Sequence, residues 1–448
     1  MRRDGLRLVL FFTRGVSLRL WDEIGMFERE VALYRWLRPQ LGGIAFVTYG
    51  GAGDLDYAPR LPGIDILCNP QNLPLEEYAR AVPELHHRQL AAAHVLKTNQ
   101  IPGAEVPVAV KQRYGTRLVA RCGYMWSDLA AHGVPERQAE VESARQTEAL
   151  AFGAAEQVVV TTQAMAGYVR ANYGVPDARL RVIPNYVLTD RFSPEGARPV
   201  PNRVCFVGRL SPEKNPLALV QACAGLDVEL VMVGSGPLQP AIEQLAQQLG
   251  VGLRLVGNLP HLELPDLLRQ SAAFALVSPH EGHPKTLLEA MACGLPVIGA
   301  NSPGIRELIE HGQTGYLCGT DASSIREALQ TVLGDAGLRA RLGTNARHFV
   351  VEHFSLERIA GLELEMLEHL VAGHTPGDLR RRLAGWLGWR PATPRGKAGC
   401  RSCLPLPTKP PSWRTKHTPT HARCSQPRHC ASCSSSTRAC IRSRGSWR

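Results

Sequence analysis

The chain has 448 residues, 44% of them hydrophobic and 20% charged, which is typical of a globular protein and long enough for more than one domain. Its formal net charge of +11 would favour an anionic partner such as nucleic acid. However, residues 391–448 contain twelve Lys or Arg and no Asp or Glu, so the first 390 residues carry 39 basic and 40 acidic side chains. The main part of the chain is therefore near neutral, which argues against a generally basic nucleic-acid-binding protein.

The apolar residues near the N-terminus predict a first strand at 7–13 rather than a signal peptide, because Arg7 interrupts the apolar stretch and Arg14 ends it. The six Cys residues before residue 391 are widely spaced and mostly lie in apolar runs, where a reduced Cys acts as a small hydrophobe. We therefore expect a cytoplasmic protein. No uncharged segment reaches the ~20 residues that a membrane span needs, so any membrane contact is expected to be peripheral.

Short apolar runs alternate with helix-length segments in two successive series. The first series lies at 7–13, 44–50, 64–69, 92–99, 117–124, 157–162 and 181–185. The second lies at 203–208, 228–234, 253–257, 274–278, 296–300 and 314–318. Apolar strands separated by helices indicate a parallel sheet covered on both faces. The sequence therefore predicts an α/β fold with two Rossmann-like doubly wound domains, at 1–190 and 203–354, joined by a Pro-rich linker at 191–202.

Three segments follow the second domain. A helix is predicted at 355–373, with Ser355 as its N-cap. Residues 374–390 are basic and contain two Trp, which suits either a membrane surface or a solvated helix with a small docking face.

The third segment, the tail at 391–448, has eight Pro and nine Ser but only three Leu, Ile, Val or Phe, so it is predicted to be disordered. Two Cys-x-x-Cys pairs in it, Cys400 with Cys403 and Cys430 with Cys433, have the spacing of zinc ligands. The 26 residues between the pairs exceed common zinc-ribbon spacing, and disorder is the preferred interpretation.

Candidate ligands for phosphate follow the first strand of the second domain. Gly208 leaves that strand, and Arg209 and Lys214 come after it, at the edge where doubly wound domains bind ligands. Two cations beside a glycine suit a diphosphate, although an ordinary polar loop would have a similar composition. Further along, Glu281 and Glu289 are separated by seven residues, one before a predicted helix and one inside it. The N-terminus of that helix would favour an anion.

Three ordered elements together resemble the retaining glycosyltransferases of family 4, the glycosyl transferases of group 1. They are the loop GRLSPEKN at 208–215, the turn VGSGP at 233–237 and the E-x7-E element EGHPKTLLE at 281–289. The resemblance covers roughly 1–372. It implies the GT-B fold, in which two domains face a central cleft, the first domain binds the acceptor, the second binds a nucleotide-sugar, and the helix at 355–373 returns to the first domain.

The resemblance also implies roles for individual residues. Arg209, Lys214 and Glu281 would form the catalytic set: the two cations neutralise the donor diphosphate without a metal ion or other cofactor, and Glu281 binds the donor sugar. Glu289 would accept hydrogen bonds from the ribose hydroxyls. The remaining donor-binding positions are Gly208, Gly234, Gly282, Thr286 and Leu287.

The first domain departs from the family pattern at two positions. A single glycine, Gly15, stands where many members have a Gly-Gly pair, and Arg121 begins the segment where many members have a His. Gly15 and Arg121 are therefore the acceptor-side candidates. His94 and Lys97 are nearby candidates for the donor-sugar contact that the family His makes, although a lone His beside a strand is more often structural. Asp54-Leu55-Asp56 has the D-x-D spacing of a metal site in another glycosyltransferase fold, but we expect a solvated turn there.

The resemblance predicts a hexosyltransferase of cell-envelope polysaccharide synthesis that moves a sugar from a nucleotide-sugar donor to a glycan or lipid-linked acceptor. It would be cytoplasmic, with peripheral contact to an anionic membrane and without a specific nucleic-acid partner. Two alternatives stay open. One is a nucleotide-sugar epimerase of the same fold, and the other is a basic-tailed binding protein with an inactive glycosyltransferase domain. The donor base, the sugar and the acceptor are not specified by these motifs.

Overall fold

The computed structural model describes residues 5–127 and 138–372. The predicted basic segment at 374–390, the tail and its Cys pairs lie outside these ranges. Within the described residues, no helix combines the length and the apolar character that a membrane crossing requires.

The first domain contains a sheet of seven parallel strands. Its strands are β1 (Arg7–Phe11), β2 (Gly43–Val47), β3 (Ile64–Leu67), β4 (Val95–Thr98), β5 (Arg117–Cys122), β6 (Gln157–Val160) and β7 (Leu180–Val182). They lie in the order β3-β2-β1-β4-β5-β6-β7. The helices around this sheet are α1 (Leu18–Glu23), α2 (Phe27–Leu37), α3 (Leu75–Leu85), α4 (His87–Ala91), α5 (Glu105–Tyr114), α6 (Gln138–Ala154) and α7 (Gln163–Tyr173).

The second domain repeats this arrangement with six parallel strands. They are β8 (Arg203–Val207), β9 (Glu229–Val233), β10 (Gly252–Gly257), β11 (Ala273–Leu276), β12 (Val297–Ala300) and β13 (Tyr316–Cys318), in the order β10-β9-β8-β11-β12-β13. Its helices are α8 (Pro216–Cys223), α9 (Gln239–Leu249), α10 (Leu264–Arg269), α11 (Lys285–Ala292), α12 (Ala322–Gly334) and α13 (Ala336–Phe354).

Burial explains why the strands are apolar throughout. The side chains of Val204, Cys205 and Phe206 in β8 are fully buried, because helices cover both faces of the sheet. All six Cys residues of the described part are free and buried, and Cys205 in β8 is one of them. Both sheets reverse their strand order next to their first strand, which is the point where doubly wound domains bind ligands. The predicted α/β, doubly wound fold class is confirmed.

The last described helix, α14 (Leu356–Ala372), lies against the first domain rather than the second. Its residues Ile359 and Leu367 are buried in one cluster with Leu8 and Phe46 of the first sheet. A buried ion pair of 2.7 Å joins Lys97 Nζ of β4 to Glu363 of this helix. The helix therefore connects the end of the second domain back to the core of the first.

Candidate active site

A cleft of about 820 Å³ lies between the two domains, at the carboxyl ends of their strands. The first domain lines it with residues that follow β5, among them Tyr124 and Trp126. The second domain lines it with the loops after β8 and β11, which carry Arg209, Lys214 and Glu281. The three residues that the sequence indicated as catalytic thus share one cleft.

Lys214 and Glu281 contact each other directly. Lys214 Nζ donates to Glu281 Oε1 at 2.6 Å, although the two residues belong to different loops, and the Glu281 side chain is only 9% exposed. Arg209 is different, because its side chain is 67% exposed and lies 3.5 Å from Glu213. The loop therefore presents one cation that is held by a carboxylate and a second that extends into solvent. An anion entering the cleft can reach both.

The turn VGSGP supports this loop from behind. Gly234 has φ +127°, and a Cβ atom there would lie 2.0 Å from the carbonyl oxygen of Gly208. A Cβ atom on Gly236 would lie 2.3 Å from the carbonyl oxygen of Leu210. Glycines are therefore required for the turn to pack on the loop. Among the described residues, Gly208 lines the cleft and Gly234 does not, so Gly234 contributes to the site through the position of Gly208.

The E-x7-E element lies in the cleft at a point where the two domains approach each other closely. A Cβ atom on Gly282 would lie 3.1 Å from the carbonyl oxygen of Gly123 in the first domain. Thr286, in the first turn of α11, lines the cleft. The side chain of Leu287 is fully buried in the core, so only its backbone amide is available for the predicted phosphate contact.

Glu289 lies deeper, with its side chain 2% exposed. Its Oε1 accepts a hydrogen bond of 2.8 Å from His261 Nε2 and lies 3.6 Å from Arg29 Nη1 of the first domain. Burial alone would raise the pKa of Glu289, but the hydrogen bond and charge of His261 and the charge of Arg29 lower it, so the carboxylate is ionised. Its second oxygen, Oε2, is buried and has no hydrogen-bond partner in the described chain. Glu289 is not among the residues that line the cleft in the described chain, so the predicted ribose contact stays a prediction, and Oε2 is the atom that could make it.

A second charged contact crosses the cleft beside Glu289. Lys285 Nζ donates to Glu30 Oε1 at 2.7 Å, and Arg29 Nε lies 3.3 Å from the same oxygen. Burial would raise the pKa of Glu30, but Lys285 and Arg29 lower it to about 2. Burial lowers the pKa of Lys285 to about 8, against the opposing effect of Glu30. No local pattern indicates that these side chains meet, because Arg29 and Glu30 lie more than 230 positions before His261 and Lys285 in the chain.

Arg121, an acceptor-side candidate, connects the two domains instead of lining the cleft. Its Nη2 donates to Asn185 Oδ1 at 2.8 Å, and Asn185 Nδ2 donates to the carbonyl oxygen of His283 at 2.8 Å. His283 is buried, and burial together with the charges of Arg121 and Lys285 lowers its pKa to about 3, so it is neutral. Gly15, the other candidate, has φ +78° and shapes a turn outside the residues that line the cleft in the described chain.

The two nearby candidates for the donor-sugar contact have structural partners. His94 Nδ1 accepts a hydrogen bond from the backbone of Arg7 at 3.0 Å, and Lys97 is buried against Glu363. The expectation of a solvated turn at the D-x-D sequence is wrong for Asp54, which is 2% exposed. Its carboxylate accepts from the backbone amides of Leu18 and Arg19 at the start of α1, at 3.1 and 3.3 Å. Within 5–127 and 138–372, no group of three or more His, Cys, Asp or Glu could hold a metal ion.

Aromatic side chains cover much of the first domain's side of the cleft. Tyr124 and Trp126 lie with their ring centroids 6.3 Å apart, and Trp126 is 39% exposed. Trp21 and Tyr168 also line the cleft. Flat apolar rings beside polar groups are typical of a pocket that binds an amphipathic ligand such as a sugar ring. The two sides therefore differ: the aromatic faces come from the first domain, which also contributes Arg29 and Glu30, whereas the described residues of the second domain present charges without Phe, Tyr or Trp rings.

Two family models match adjacent parts of the chain. The model of the glycosyl transferases group 1 matches residues 189–349, and that of Glycosyltransferase Family 4 matches residues 32–191. A D-inositol 3-phosphate glycosyltransferase of Salinispora tropica is 30% identical over 332 residues, which are 66% of this chain and 67% of that protein. The N-acetyl-alpha-D-glucosaminyl L-malate synthase of Bacillus anthracis is 36% identical over 143 residues, 32% of this chain and 38% of that protein. Over the relatives compared, the chain spans between 38% and 67% of their own length.

Solved structures share the fold at lower sequence identity. A sucrose-phosphate synthase from Thermosynechococcus elongatus superimposes with a TM-score of 0.66 at 22% identity, over 82% of this chain and 100% of that chain. Anabaena HepE, solved in complex with UDP and glucose, superimposes with a TM-score of 0.63 at 18% identity, over 81% of this chain and 99% of that chain. At this level of identity the comparisons establish the two-domain architecture.

Proposed function

Because the chain belongs to the glycosyl transferases of group 1, as its three motifs indicated, we propose that it transfers a sugar from a nucleotide-sugar donor to a glycan or lipid-linked acceptor. The observation that carries this proposal is the contact between Lys214 and Glu281 inside the interdomain cleft. It joins a candidate diphosphate ligand to a candidate sugar ligand. Arg209 lies on the same loop as Lys214 and is exposed to the cleft.

The donor would lie along the second domain. Its diphosphate would contact Arg209, Lys214 and the amides of Thr286 and Leu287 at the start of α11, where backbone N–H groups favour an anion. Its ribose would reach Glu289 Oε2, and its sugar would bind Glu281. Two cations and a helix N-terminus can stabilise the charge that develops on a leaving diphosphate, so we propose a metal-independent reaction.

Transfer would proceed with retention of the anomeric configuration. The bond between the anomeric carbon and the phosphate oxygen breaks first, leaving an oxocarbenium-like sugar that carries the positive charge. An acceptor hydroxyl then attacks from the face that the diphosphate has vacated, and the leaving phosphate oxygen takes the hydroxyl proton. In this sequence Arg209 and Lys214 stabilise the leaving group, and Glu281 orients the sugar through its hydroxyls.

The acceptor would enter along the aromatic side of the cleft. Trp126 and Tyr124 offer apolar ring faces to the C–H groups of a sugar ring, while Asn99 and Gln100 line the same cleft with hydrogen-bonding groups. The names of the relatives describe acceptors as different as inositol 3-phosphate and malate, so they do not identify the acceptor of this chain. The aromatic lining favours a carbohydrate.

Binding to nucleotides is the first test. The full chain is screened by thermal shift against UDP, GDP and ADP, where a ligand at 100 times its Kd should stabilise the fold by about 2.7 kcal/mol. The matching nucleotide-sugar is then incubated with glycan acceptors, with and without EDTA. We expect released nucleotide and a glycoside with the donor's anomeric configuration by NMR, at equal rates in both conditions.

Each alternative function has its own product. A free epimerised donor would identify a nucleotide-sugar epimerase, and the absence of nucleotide binding together with salt-sensitive binding to anions would identify an inactive binding protein. Loss of turnover in EDTA, restored by Mg²⁺ or Mn²⁺, would contradict the metal-independent mechanism.

A further inference from the structure

The segment Gly25–Glu30 of the first domain contacts the donor half of the molecule at three points. The backbone carbonyl of Gly25 accepts from the amide of His261 at 3.2 Å. Arg29 Nη1 lies 3.6 Å from Glu289, and Glu30 accepts from Lys285 at 2.7 Å. None of these contacts involves a motif of the first domain. They place this short segment beside Glu289, the residue predicted to bind the ribose, and beside its neighbours His261 and Lys285.

The two oxygens of Glu289 have different environments. Oε1 is occupied, because His261 donates to it at 2.8 Å and the guanidinium of Arg29 lies within ion-pair distance. Oε2 is buried without a hydrogen-bond partner in the described residues. A buried carboxylate oxygen is costly to leave unpaired, so this arrangement suits a carboxylate that receives its missing hydrogen bonds from a ligand.

The orientation of His261 is determined by its neighbours. A carboxylate can only accept, so Nε2 of His261 carries a proton and donates a hydrogen bond to Glu289 Oε1. The ring packs against Phe192 of the interdomain linker, with centroids 5.0 Å apart, and the backbone is bonded to Gly25. Gly25 has φ +72°, and a Cβ atom there would lie 2.9 Å from Pro260 Cα, so the contact requires glycine. His261 is thereby held by both the linker and the first domain.

We propose that Arg29 and His261 are positioning residues that hold Glu289 so that its Oε2 faces the ribose hydroxyls, and that the first domain thereby completes the ribose subsite of the second. This inference rests on the proposed function, because it requires a ribose-containing donor. Its consequence is that recognition of the ribose depends on the contact between the domains, whereas binding of the diphosphate depends on Arg209 and Lys214 within the second domain.

The test measures discrimination of the ribose rather than binding alone. The nucleoside diphosphate that binds best is compared with its 2′,3′-dideoxy analogue by calorimetry, using the full chain. We expect the wild type to prefer the ribose form by about 10-fold or more, as for a hydrogen bond to a charged group. Arg29→Met and His261→Phe should each reduce this preference to less than about 3-fold while the affinity for the dideoxy form stays the same.

Conservative variants and a matched control separate positioning from general stability. Arg29→Lys and His261→Gln keep a donor and should restore part of the preference. Arg203→Met is the control, because the side chain of Arg203 is 12% exposed, as is that of Arg29. Its 2.7 Å ion pair with Glu229 joins the amino ends of β8 and β9, whereas the cleft lies at the carboxyl ends of the strands. This control should lower Tm without changing the ribose preference.

The outcomes distinguish the two levels of the proposal. Equal loss of affinity for both nucleotides in the Arg29 and His261 variants would show a merely structural role and overturn the inference. A wild type that binds nucleoside diphosphates without preferring the ribose form would overturn it also, and would leave the donor site in place. A wild type that binds no nucleoside diphosphate would overturn the proposed function itself.

Discussion

The two sides of the cleft are built in different ways. On the second domain, most of the residues that line the cleft come from two short motifs, 208–215 and 281–289, which follow the neighbouring strands β8 and β11. On the first domain, the cleft is lined by aromatic residues after β5 and by charged residues of α2, and neither set forms a recognisable motif. The two motifs of the second domain meet simply because β8 and β11 are neighbours in its parallel sheet.

This difference separates two kinds of recognition. A diphosphate is common to all nucleoside-diphosphate sugars, so the charges proposed to bind it can belong to a short motif. Acceptors differ between enzymes, and the side of the cleft proposed to bind the acceptor is assembled from residues without a recognisable spacing. Changes on the second domain should therefore act on donor chemistry, and changes on the first should act on acceptor affinity and on the contact between the domains.

Replacing Lys214 should have the largest effect on the donor side. We expect Lys214→Ala to lower kcat by about 100-fold or more, because the proposed role of the lysine is to stabilise the additional charge that develops on the leaving diphosphate in the transition state. Steady-state kinetics measures the change. Lys111→Ala is the matched control, since Lys111 is also 23% exposed and is paired with Glu156 away from the cleft. Unchanged turnover in Lys214→Ala would remove the donor-side assignment.

Replacing Glu289 should come next. Glu289→Gln removes an ionised acceptor, and a hydrogen bond to a charged group contributes about 1.5–3 kcal/mol, so affinity for the nucleotide should fall about 10- to 100-fold. Calorimetric titration checks this value. Glu363→Gln, at an equally buried carboxylate that pairs with Lys97, should reduce stability but leave nucleotide affinity as it was. A parallel loss of affinity in both variants would argue against a ribose contact.

Trp126 tests the acceptor side. Trp126→Ala should raise the KM for a glycan acceptor by about 3- to 10-fold, because an aromatic contact contributes about 0.5–1.5 kcal/mol. Trp126→Phe should retain most of the affinity. Hydrolysis of the donor in the absence of acceptor should be the same in all three proteins. A change in donor hydrolysis rather than in acceptor KM would end the division of roles between the domains.

Glu30 tests the contact between the domains through its pH dependence. Lys285 and Arg29 lower the pKa of Glu30 from 4.5 to about 2, against the effect of burial. A carboxyl group whose pKa is lower in the folded state stabilises the fold above the unfolded pKa, and this stabilisation is lost as the pH falls toward the folded pKa. Glu30→Gln should therefore lower Tm by a few degrees at about pH 6, and by less at about pH 3. A constant difference in Tm between these pH values would contradict the ionised pair.

Removing residues 391–448 should have the smallest effect on chemistry. All the residues assigned to the donor lie before residue 290, and the removal changes the formal charge from +11 to −1. Turnover and Tm should hardly change, while binding to anionic vesicles should decrease. Zinc analysis of both proteins completes the experiment. Loss of turnover, or one tightly bound zinc per chain that the shortened protein lacks, would contradict the prediction that the tail is dispensable.

The sequence alone determined the fold class and the donor motifs, because both depend on local patterns. Fully apolar runs separated by helices are typical of parallel sheets covered on both faces, and the two series correspond to the two sheets of the structure. The short loops after β8 and β11 leave adjacent strands, so Lys214 and Glu281 could be expected at the same edge.

Contacts between distant residues were decided only by the tertiary structure. Glu30 and Lys285 are 255 positions apart, and no local pattern shows that they meet. Arg121 was a candidate for the acceptor, yet it donates to Asn185 of the same domain, and the Asn185 amide in turn donates to the His283 carbonyl of the second domain. The spacing of Asp54 and Asp56 is compatible with a solvated turn. Only the position of α1 shows that the Asp54 carboxylate is buried against two backbone amides. Spacing along the chain specifies which groups share an element, whereas packing between elements decides which partner each charge finds.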